Sequence, residues 1–162
     1  MRELVVLTYK DGLLARLAHD LQIRATDWET KLEGDAIMVR VALARMRVEG
    51  AVVHGRVATG VLSASDLGKI ERTMNDDVLA TGRWPEARFE GTVDRAAMRV
   101  RGRLSLHGRT IELPPIVVRQ DGELMRAELT LVPSRWDIAP YRALAGALKL
   151  QDRVLVRVAL PR

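Results

Sequence analysis

The chain has 162 residues, of which 48% are hydrophobic and 29% are charged, and it contains no cysteine. This length and balance are typical of one soluble globular domain, and the lack of cysteine excludes disulfides, thiolate metal sites and thiol catalysis. The formal net charge is +5, but three tryptophans, two tyrosines and one phenylalanine are few for a protein that stacks nucleic-acid bases. We therefore expect a single domain, residues 1–162, and no nucleic acid among its partners.

The N-terminal segment and the hydropathy of the chain bear on its location. No run of about 18 apolar residues occurs, so no membrane-spanning segment is predicted. The first apolar run, Leu4–Leu7, is too short for the hydrophobic region of a signal peptide. As written, the sequence predicts a cytoplasmic protein, or a periplasmic one if a leader has been removed.

Alternation of apolar and polar residues, which is typical of half-buried strands, begins close to the N-terminus. The first four segments with this character are Leu4–Tyr9, Leu21–Trp28, Ala36–Val48 and Ala51–Thr59. Glycine-containing pairs at Gly34-Asp35 and Glu49-Gly50 predict turns. His54 is expected to be an ordinary strand residue of the fourth segment.

Two segments show helical spacing instead. Gly12 to Ala18 predicts a short helix, because its three leucines give it an apolar face. Ser65 to Leu79 predicts a longer helix, with Ser63 or Ser65 as its N-cap and Asp66 near the positive end of its dipole. Its apolar residues recur at helical spacing, at Leu67, Ile70, Met74 and Val78.

The second half of the chain returns to strands. Apolar residues occupy every second position of residues 87–93, 98–106 and 125–131, and less regularly of residues 154–160. Between them, Ile111–Val118 contains Pro114-Pro115, which predicts an edge or bent strand because proline cannot donate a backbone hydrogen bond. His107-Gly108 and Asp121-Gly122 predict turns, in which His107 closes its turn by a hydrogen bond and Gly108 has a positive φ.

About eight strands with short connections predict an all-β protein, either a closed antiparallel barrel or a sandwich. A barrel of this size is either filled by its own side chains or holds one small ligand. Small residues on the inward rows, namely Ala87, Gly91, Gly102 and Ala127, leave room for a ligand. The alternative is that these residues let the strands coil and pack tightly.

Four segments resemble, in their order and spacing, the YceI-like family of lipocalin-like polyisoprenoid-binding proteins. The strongest is residues 100–110, VRGRLSLHGRT, which resembles the family's V-x-G-x-L-x-L-H-G strand and turn. The others are residues 74–79 with 84–90, residues 135–138 with Gly146 and residues 148–154, and residues 17–23. The chain departs from the family pattern by having Trp84 in the aromatic position, Gly91 where serine is common, Trp136-Asp137 where Phe-Gly is usual, and Leu21 where one branch has histidine.

This resemblance implies a single eight-stranded antiparallel lipocalin-like β-barrel with one or two short helices near its ends. It also implies that the lumen holds an isoprenoid or another lipid-like chain, with no cofactor. Members of the family are typically exported. Arg135 is a further candidate for contact with a polar head group at the rim.

The residues expected to contact the ligand lie on the inward rows and at the ends of the barrel. They are Leu17, His19, Leu21, Ile23, Phe89, Val100, Leu104, Leu106, Leu129, Leu131, Trp136, Tyr141 and Val156. His19-Asp20 either lies at the barrel mouth and touches a polar head group, or has a structural role in which His19 hydrogen-bonds a backbone carbonyl or Asp20 caps a turn. Trp136 and Tyr141 form either a lid over the barrel end or an aromatic plug that closes the core.

Signatures of catalysis and of metal binding are missing from the sequence. The three histidines are far apart and lack H-x-H or H-x-x-H spacing, so no metal site is expected. Glu71, Asp76 and Asp77 are interpreted as a solvated helix face, because neighbouring residues on a helix do not face each other. We therefore predict that the protein is not an enzyme.

Two functions follow from the two kinds of barrel. The first is a non-catalytic binding or carrier protein for an apolar or amphiphilic small molecule held in the lumen. The second is a filled barrel that acts as an interaction module through a basic outer stripe, namely Arg95, Arg99, Arg101 and Arg103. Apolar barrel rims are also compatible with a homodimer.

Overall fold

Thirteen strands form one antiparallel sheet in the computed structural model, which describes residues 1–12, 18–143, 146 and 148–162. The strands are β1 Glu3–Asp11, β2 Asp20–Ala25, β3 Trp28–Glu33, β4 Ala36–Ala42, β5 Met46–Val53, β6 Arg56–Ala58, β7 Glu86–Asp94, β8 Arg99–Leu106, β9 Arg109–Glu112, β10 Ile116–Asp121, β11 Leu124–Leu131, β12 Arg142–Ala143 and β13 Leu148–Pro161. The prediction of an all-β, antiparallel fold is confirmed.

The strands follow one hydrogen-bonded path through the sheet. Its order is β3-β4-β7-β8-β10-β11-β13-β1-β2-β5-β6, with β9 on β8 and β12 on β13. The path ends at β3 and β6, so the prediction of a closed eight-stranded barrel is wrong. The sheet nevertheless curves strongly, because side chains from β1, β7 and β13 all face one interior cavity.

The strand count differs because long predicted strands are interrupted. Thr26 and Asp27 separate β2 from β3, and a 3-10 turn at Leu43–Arg45 separates β4 from β5. The two interruptions lie side by side, since the Thr26 amide donates to the Arg45 carbonyl at 3.2 Å and the Ala42 amide donates to the Asp27 carbonyl at 3.0 Å. The sheet therefore bends at both strands together.

The predicted break at Pro114-Pro115 is confirmed, and it separates β9 from β10.

Two local predictions in β5 are wrong. Glu49-Gly50 is a bulge inside the strand, because Gln22 pairs with Gly50 while Ile23 pairs with Val48, which leaves Glu49 as the extra residue. The turn lies further on, where His54 has a φ of 50° and Gly55 a φ of 75° between β5 and β6. Two positive φ angles at a two-residue hairpin loop match the right-handed twist of the strands. His54 is thus a turn residue and not a strand residue.

The long helix, α1, spans Ala64–Thr73 and continues as a π-helical turn over Met74–Val78. Ser63, one of the two predicted candidates, is its N-cap: its Oγ accepts from the Asp66 amide at 3.1 Å, and the Asp66 carboxylate accepts from the Ser63 amide at 3.0 Å. The predicted short helix at Gly12 to Ala18 falls mostly outside the described residues. No helix in the described chain is long and apolar enough to span a membrane.

One contact fastens α1 to the sheet. The Glu71 carboxylate accepts a hydrogen bond from the Val48 amide at 3.0 Å, beside the bulge of β5. The expectation that Glu71 belongs to a solvated face is therefore wrong. Leu67, Ile70 and Met74 of the helix pack against a core cluster that includes Ile23 and Val48. The helix consequently covers one end of the curved sheet.

Candidate functional site

The concave face of the sheet encloses a cavity of about 1030 Å³. The volume is at the upper end of the range of about 300–1,000 Å³ that is common for small-molecule sites. Inward residues of β1, β2, β8, β11 and β13 form its wall, as strand alternation dictates. Apart from Thr8 and Trp136, the middle of the wall consists of apolar side chains, such as Val6, Ile23, Leu129 and Val156.

The structure brings the predicted binding residues together around this cavity. Leu17 lies outside the described residues. All the other candidates are on the cavity wall, and they are His19, Leu21, Ile23, Phe89, Val100, Leu104, Leu106, Leu129, Leu131, Trp136, Tyr141 and Val156. That these residues bind a ligand remains a prediction.

Two of the four small inward residues, Gly91 and Gly102, leave no room for a ligand, because the Phe89 ring occupies the space beside them. Gly91 and Gly102 are directly opposed on β7 and β8, and the Phe89 ring lies over both. A Cβ added to Gly102 would be 2.3 Å from the Glu90 carbonyl oxygen and 2.6 Å from Phe89 Cζ. One added to Gly91 would be 2.4 Å from the Arg101 carbonyl oxygen and 2.9 Å from Phe89 Cε1. The glycines therefore make room for the close approach of the two strands and for an aromatic ring, and not for a ligand. Ala87 and Ala127, by contrast, do line the cavity.

Trp136 closes the interior as part of a second core cluster, which it forms with Leu113 and Ile138. It ends a 3-10 turn over Pro133–Trp136, and the next residue, Asp137, has a φ of 58° that stops the turn. Only 1% of Trp136 is exposed, and its Nε1 donates to the Leu104 carbonyl at 3.1 Å. This geometry favours a plug over a lid for Trp136. Tyr141 is 40% exposed and lies at the cavity edge.

His107 supports this plug. Its φ is 53° and that of Gly108 is 76°, so the predicted turn and the positive φ at Gly108 are confirmed. The prediction that His107 hydrogen-bonds within its own turn is wrong, because its Nδ1 lies 3.1 Å from the Trp136 carbonyl oxygen. The imidazole also packs at 5.9 Å from the Trp84 ring. His107 thus joins the β8–β9 hairpin to the segment that carries Trp136.

His19 and Asp20 have different roles. Asp20 Oδ1 accepts from the Lys10 amide at 2.8 Å, so this carboxylate fixes the start of β2 against β1. His19 is half-buried and lines the cavity. The alternating strand directions place His19 and His107 at the same end of the sheet.

Within the described residues, no three metal-binding side chains form a cluster that would hold a metal ion.

Polar residues mark both ends of the cavity. At the end covered by α1 they are His19, Lys69, Thr73, Tyr141, Lys149 and Gln151. At the opposite end they are Asp94, Arg95, Arg99, Gln120, Arg126 and Arg162. The sequence did not predict that the second set lines the cavity, since strand ends carry no alternation signal. Arg95 and Arg99 of this set were expected on the basic outer stripe, and the structure places them at the cavity end instead. Arg135, the predicted head-group contact, is absent from the lining residues, and its guanidinium lies 5.9 Å from the Trp136 ring.

Two arginine-centred groups of ion pairs lie on the outer surface of the sheet. Arg24 is held between Glu49 and Glu3, with N–O distances of 2.5 and 3.1 Å, and hydrogen bonding to Glu49 raises the pKa of its guanidinium. Arg40 contacts Glu29 at 2.9 Å, which raises the pKa of Arg40 and lowers that of Glu29. These ion pairs link neighbouring strands and lie outside the cavity.

Comparison with known proteins agrees with this architecture. A YceI-like domain model matches residues 19–161. The fold is similar to that of Burkholderia cenocepacia BcnA, with a TM-score of 0.62, 13% identity, and coverage of 98% of this chain and 94% of that one. It is also similar to a polyisoprenoid-binding domain from Saccharophagus degradans implicated in plant cell wall breakdown, with a TM-score of 0.64, 14% identity, and coverage of 98% and 91%. No curated protein sequence gives a significant match. The family model spans nearly the whole described sheet, and this chain belongs to the YceI-like domain family.

Proposed function

We propose that the protein binds an apolar or amphiphilic, lipid-like molecule in its cavity and performs no chemistry on it. The observation that carries this proposal is the cavity of about 1030 Å³ with an aliphatic wall. In the middle of the described wall, the Thr8 hydroxyl is the one polar group without a hydrogen-bond partner. A buried water needs two to four polar partners, so an apolar chain is the best-matched occupant of this cavity. The polar groups at both ends would meet a head group.

The energetics are sufficient for useful affinity. Burial of a methylene group is worth about 0.8 kcal/mol, so ten methylenes would supply about 8 kcal/mol before the cost of association. Polyisoprenoid binding by the Saccharophagus degradans domain makes isoprenoids the first class to test. The low sequence identity to that domain leaves the choice between isoprenoid and fatty-acyl chains to experiment.

The non-catalytic part of the proposal is supported by the distribution of polar groups. His107 is engaged with the Trp136 carbonyl, and Asp20 with the Lys10 amide. The carboxylate on the cavity edge, Asp94, accepts from the Ala97 amide at 2.9 Å. These side chains therefore act in structural hydrogen bonds, and the middle of the described wall offers the Thr8 hydroxyl with no acidic or basic side chain beside it.

The alternative function, a filled barrel that acts through its basic surface, has weaker support. A filled barrel requires the interior to be occupied by side chains, and the cavity argues against this. The basic stripe is also partly neutralised, because Arg95 contacts Asp35 at 3.0 Å and Arg103 contacts Glu90 at 3.5 Å.

Titration with geranylgeraniol and with palmitate at low and high salt separates the two functions. Binding inside the cavity is driven by apolar burial, so its affinity should change little with salt for the neutral alcohol. Binding through the arginine stripe would need an anionic partner and would weaken steeply as salt screens the charges. Failure of both probes to bind would contradict the proposed function.

A further inference from the structure

One stretch of the sheet lacks a neighbouring strand. β11 pairs with β13 along its whole length, from Leu124 to Leu131. With β10 it pairs only over Leu124–Ala127, opposite Val118–Asp121. Within the described part of the chain, Glu128–Leu131 therefore has no strand partner on this side. A gap lies between β11 and the segment that enters β10.

Two prolines account for the gap. If the β10–β11 register continued, Pro115 would stand opposite Thr130 and Pro114 opposite Leu131. Proline has no amide hydrogen to donate, so the ladder cannot extend through these positions. Leu113, just before them, donates its amide to the Gly102 carbonyl at 2.9 Å, which keeps this segment on the β8 side.

The gap adjoins the main cavity. A second hollow, of about 240 Å³, lies within it between the Pro114-Pro115 segment and β11. Four residues line both this hollow and the main cavity, and they are Leu113, Ile116, Leu129 and Leu131. Only side chains, and no backbone ladder, thus separate the main cavity from the outer surface here.

The outer surface around the gap is mostly apolar, and the one charged side chain among the described residues that line the hollow, Glu128, is paired with Arg157 at 2.9 Å. Val117 is 49% exposed and Val132 is 37% exposed, and both flank the gap in sequence. Pro114 and Pro115 are exposed beside them. Both ends of the main cavity, in contrast, carry charged side chains, and Trp136 with α1 covers one of them. An apolar chain that passes a charged group removes water from that group, which costs free energy. The route with the lowest free-energy barrier therefore avoids the charged ends.

We infer that this gap is a lateral portal, through which an apolar chain passes between the outer surface and the main cavity. The portal opens when the side chains of Leu113, Ile116, Leu129 and Leu131 rotate, since no backbone hydrogen bond has to break. The prolines also protect the exposed edge of β11 from pairing with a foreign strand. The inference rests on the proposed function, because a portal needs a ligand.

Single cysteines test the portal cleanly, because the chain has no cysteine of its own. Thr130→Cys places a thiol on the exposed outer face at the gap, and Thr92→Cys places one on the exposed outer face of β7. Thr92 is a matched control, since its strand is paired with both β4 and β8. Each variant is compared with itself before and after reaction with a bulky maleimide. Stopped-flow fluorescence of cis-parinaric acid gives the uptake rate, and titration gives the equilibrium affinity.

The labelled Thr130→Cys protein should take up the probe about tenfold more slowly or worse, which equals about 1.4 kcal/mol on the barrier. Its equilibrium affinity should be nearly unchanged, because the label blocks the route and leaves the main cavity intact. Labelled Thr92→Cys should behave like its unlabelled form. Equal uptake rates before and after labelling of Thr130→Cys would overturn the portal alone. No uptake by the unlabelled proteins would instead overturn the proposed function.

Discussion

The Phe89 ring lies over Gly102 of the neighbouring strand, so that a Cβ on Gly102 would approach Phe89 Cζ to 2.6 Å. Gly91 completes the arrangement, because it pairs with Gly102 and lies under the same ring. The pair of glycines gives the one phenylalanine of the chain a fixed place on the cavity wall. The ring covers the backbone of the two glycines, which have no side chains of their own to cover it.

Gly102→Ala should therefore destabilise the protein by about 1–3 kcal/mol, because Phe89 is forced from its position and the opposing backbone is crowded. Chemical denaturation measures this change. The matched control is Gly68→Ala in α1, where the new Cβ would be 3.4 Å from its nearest neighbour, Arg72 Nη1. The control should stabilise the helix by up to about 1 kcal/mol. Equal effects of the two substitutions would contradict the close packing of Gly102 against the Glu90 carbonyl and the Phe89 ring.

Glu71 supplies the acceptor for the Val48 amide beside the β5 bulge. Glu71→Leu should leave that amide unpaired under the helix and cost about 1–3 kcal/mol. Glu71→Gln retains an acceptor oxygen and should cost clearly less. Hydrogen exchange at Val48, measured by NMR, should speed up in the leucine variant only. If exchange at Val48 were the same in all three proteins, the contact would have no part in holding α1.

The N-terminus of α1 should respond to acid. Hydrogen bonds from Ser63 lower the pKa of the Asp66 carboxyl from its usual value of 3.8. A carboxyl whose pKa is lower in the folded state contributes stability above its unfolded pKa, and loses it as the pH falls through the folded value. Asp66→Asn should thus be less stable than the parent protein at neutral pH, and the difference should vanish in strong acid. A difference that is constant across this range would contradict the role of the charge.

Val156 and Arg157 lie next to each other on β13 and face opposite sides of the sheet. Val156 lines the cavity, whereas Arg157 contacts Glu128 on the outside at 2.9 Å. Val156→Phe should exclude about two methylene groups of a bound chain, at about 1.6 kcal/mol or roughly 15-fold in Kd. Arg157→Phe loses only an exposed ion pair and should bind as the parent protein does. Isothermal titration with geranylgeraniol compares them, and equal affinities would place the ligand elsewhere.

The regular part of the fold could be predicted from the sequence, because alternation in a strand is a local property. Residues 98–106 alternate strictly, and β8 spans Arg99–Leu106. Alternation also indicated which side chains face inward, and so it identified most of the cavity wall. The bend at Thr26 and Asp27 contains no proline or glycine, so the sequence did not predict it. It arises where the curved sheet changes direction, which is a tertiary effect.

Other features were visible in the sequence but ambiguous. Gly50 signalled an irregularity, yet a glycine is compatible with a turn and with a bulge, and the pairing to Gln22 decides between them. Pro114-Pro115 predicted a break, but which strand loses its partner depends on topology. The position of the Phe89 ring depends on a cross-strand neighbour, Gly102, that is distant along the chain.

The most direct test of the central claim is native mass spectrometry of the gently purified protein, followed by extraction with organic solvent. We predict a small-molecule adduct on the intact protein that partitions into the organic phase and returns when the extracted lipid is added back. The Val156→Phe variant should carry less of it than Arg157→Phe. A mass equal to that of the bare chain, together with no uptake of added geranylgeraniol or palmitate, would contradict a lipid-binding cavity.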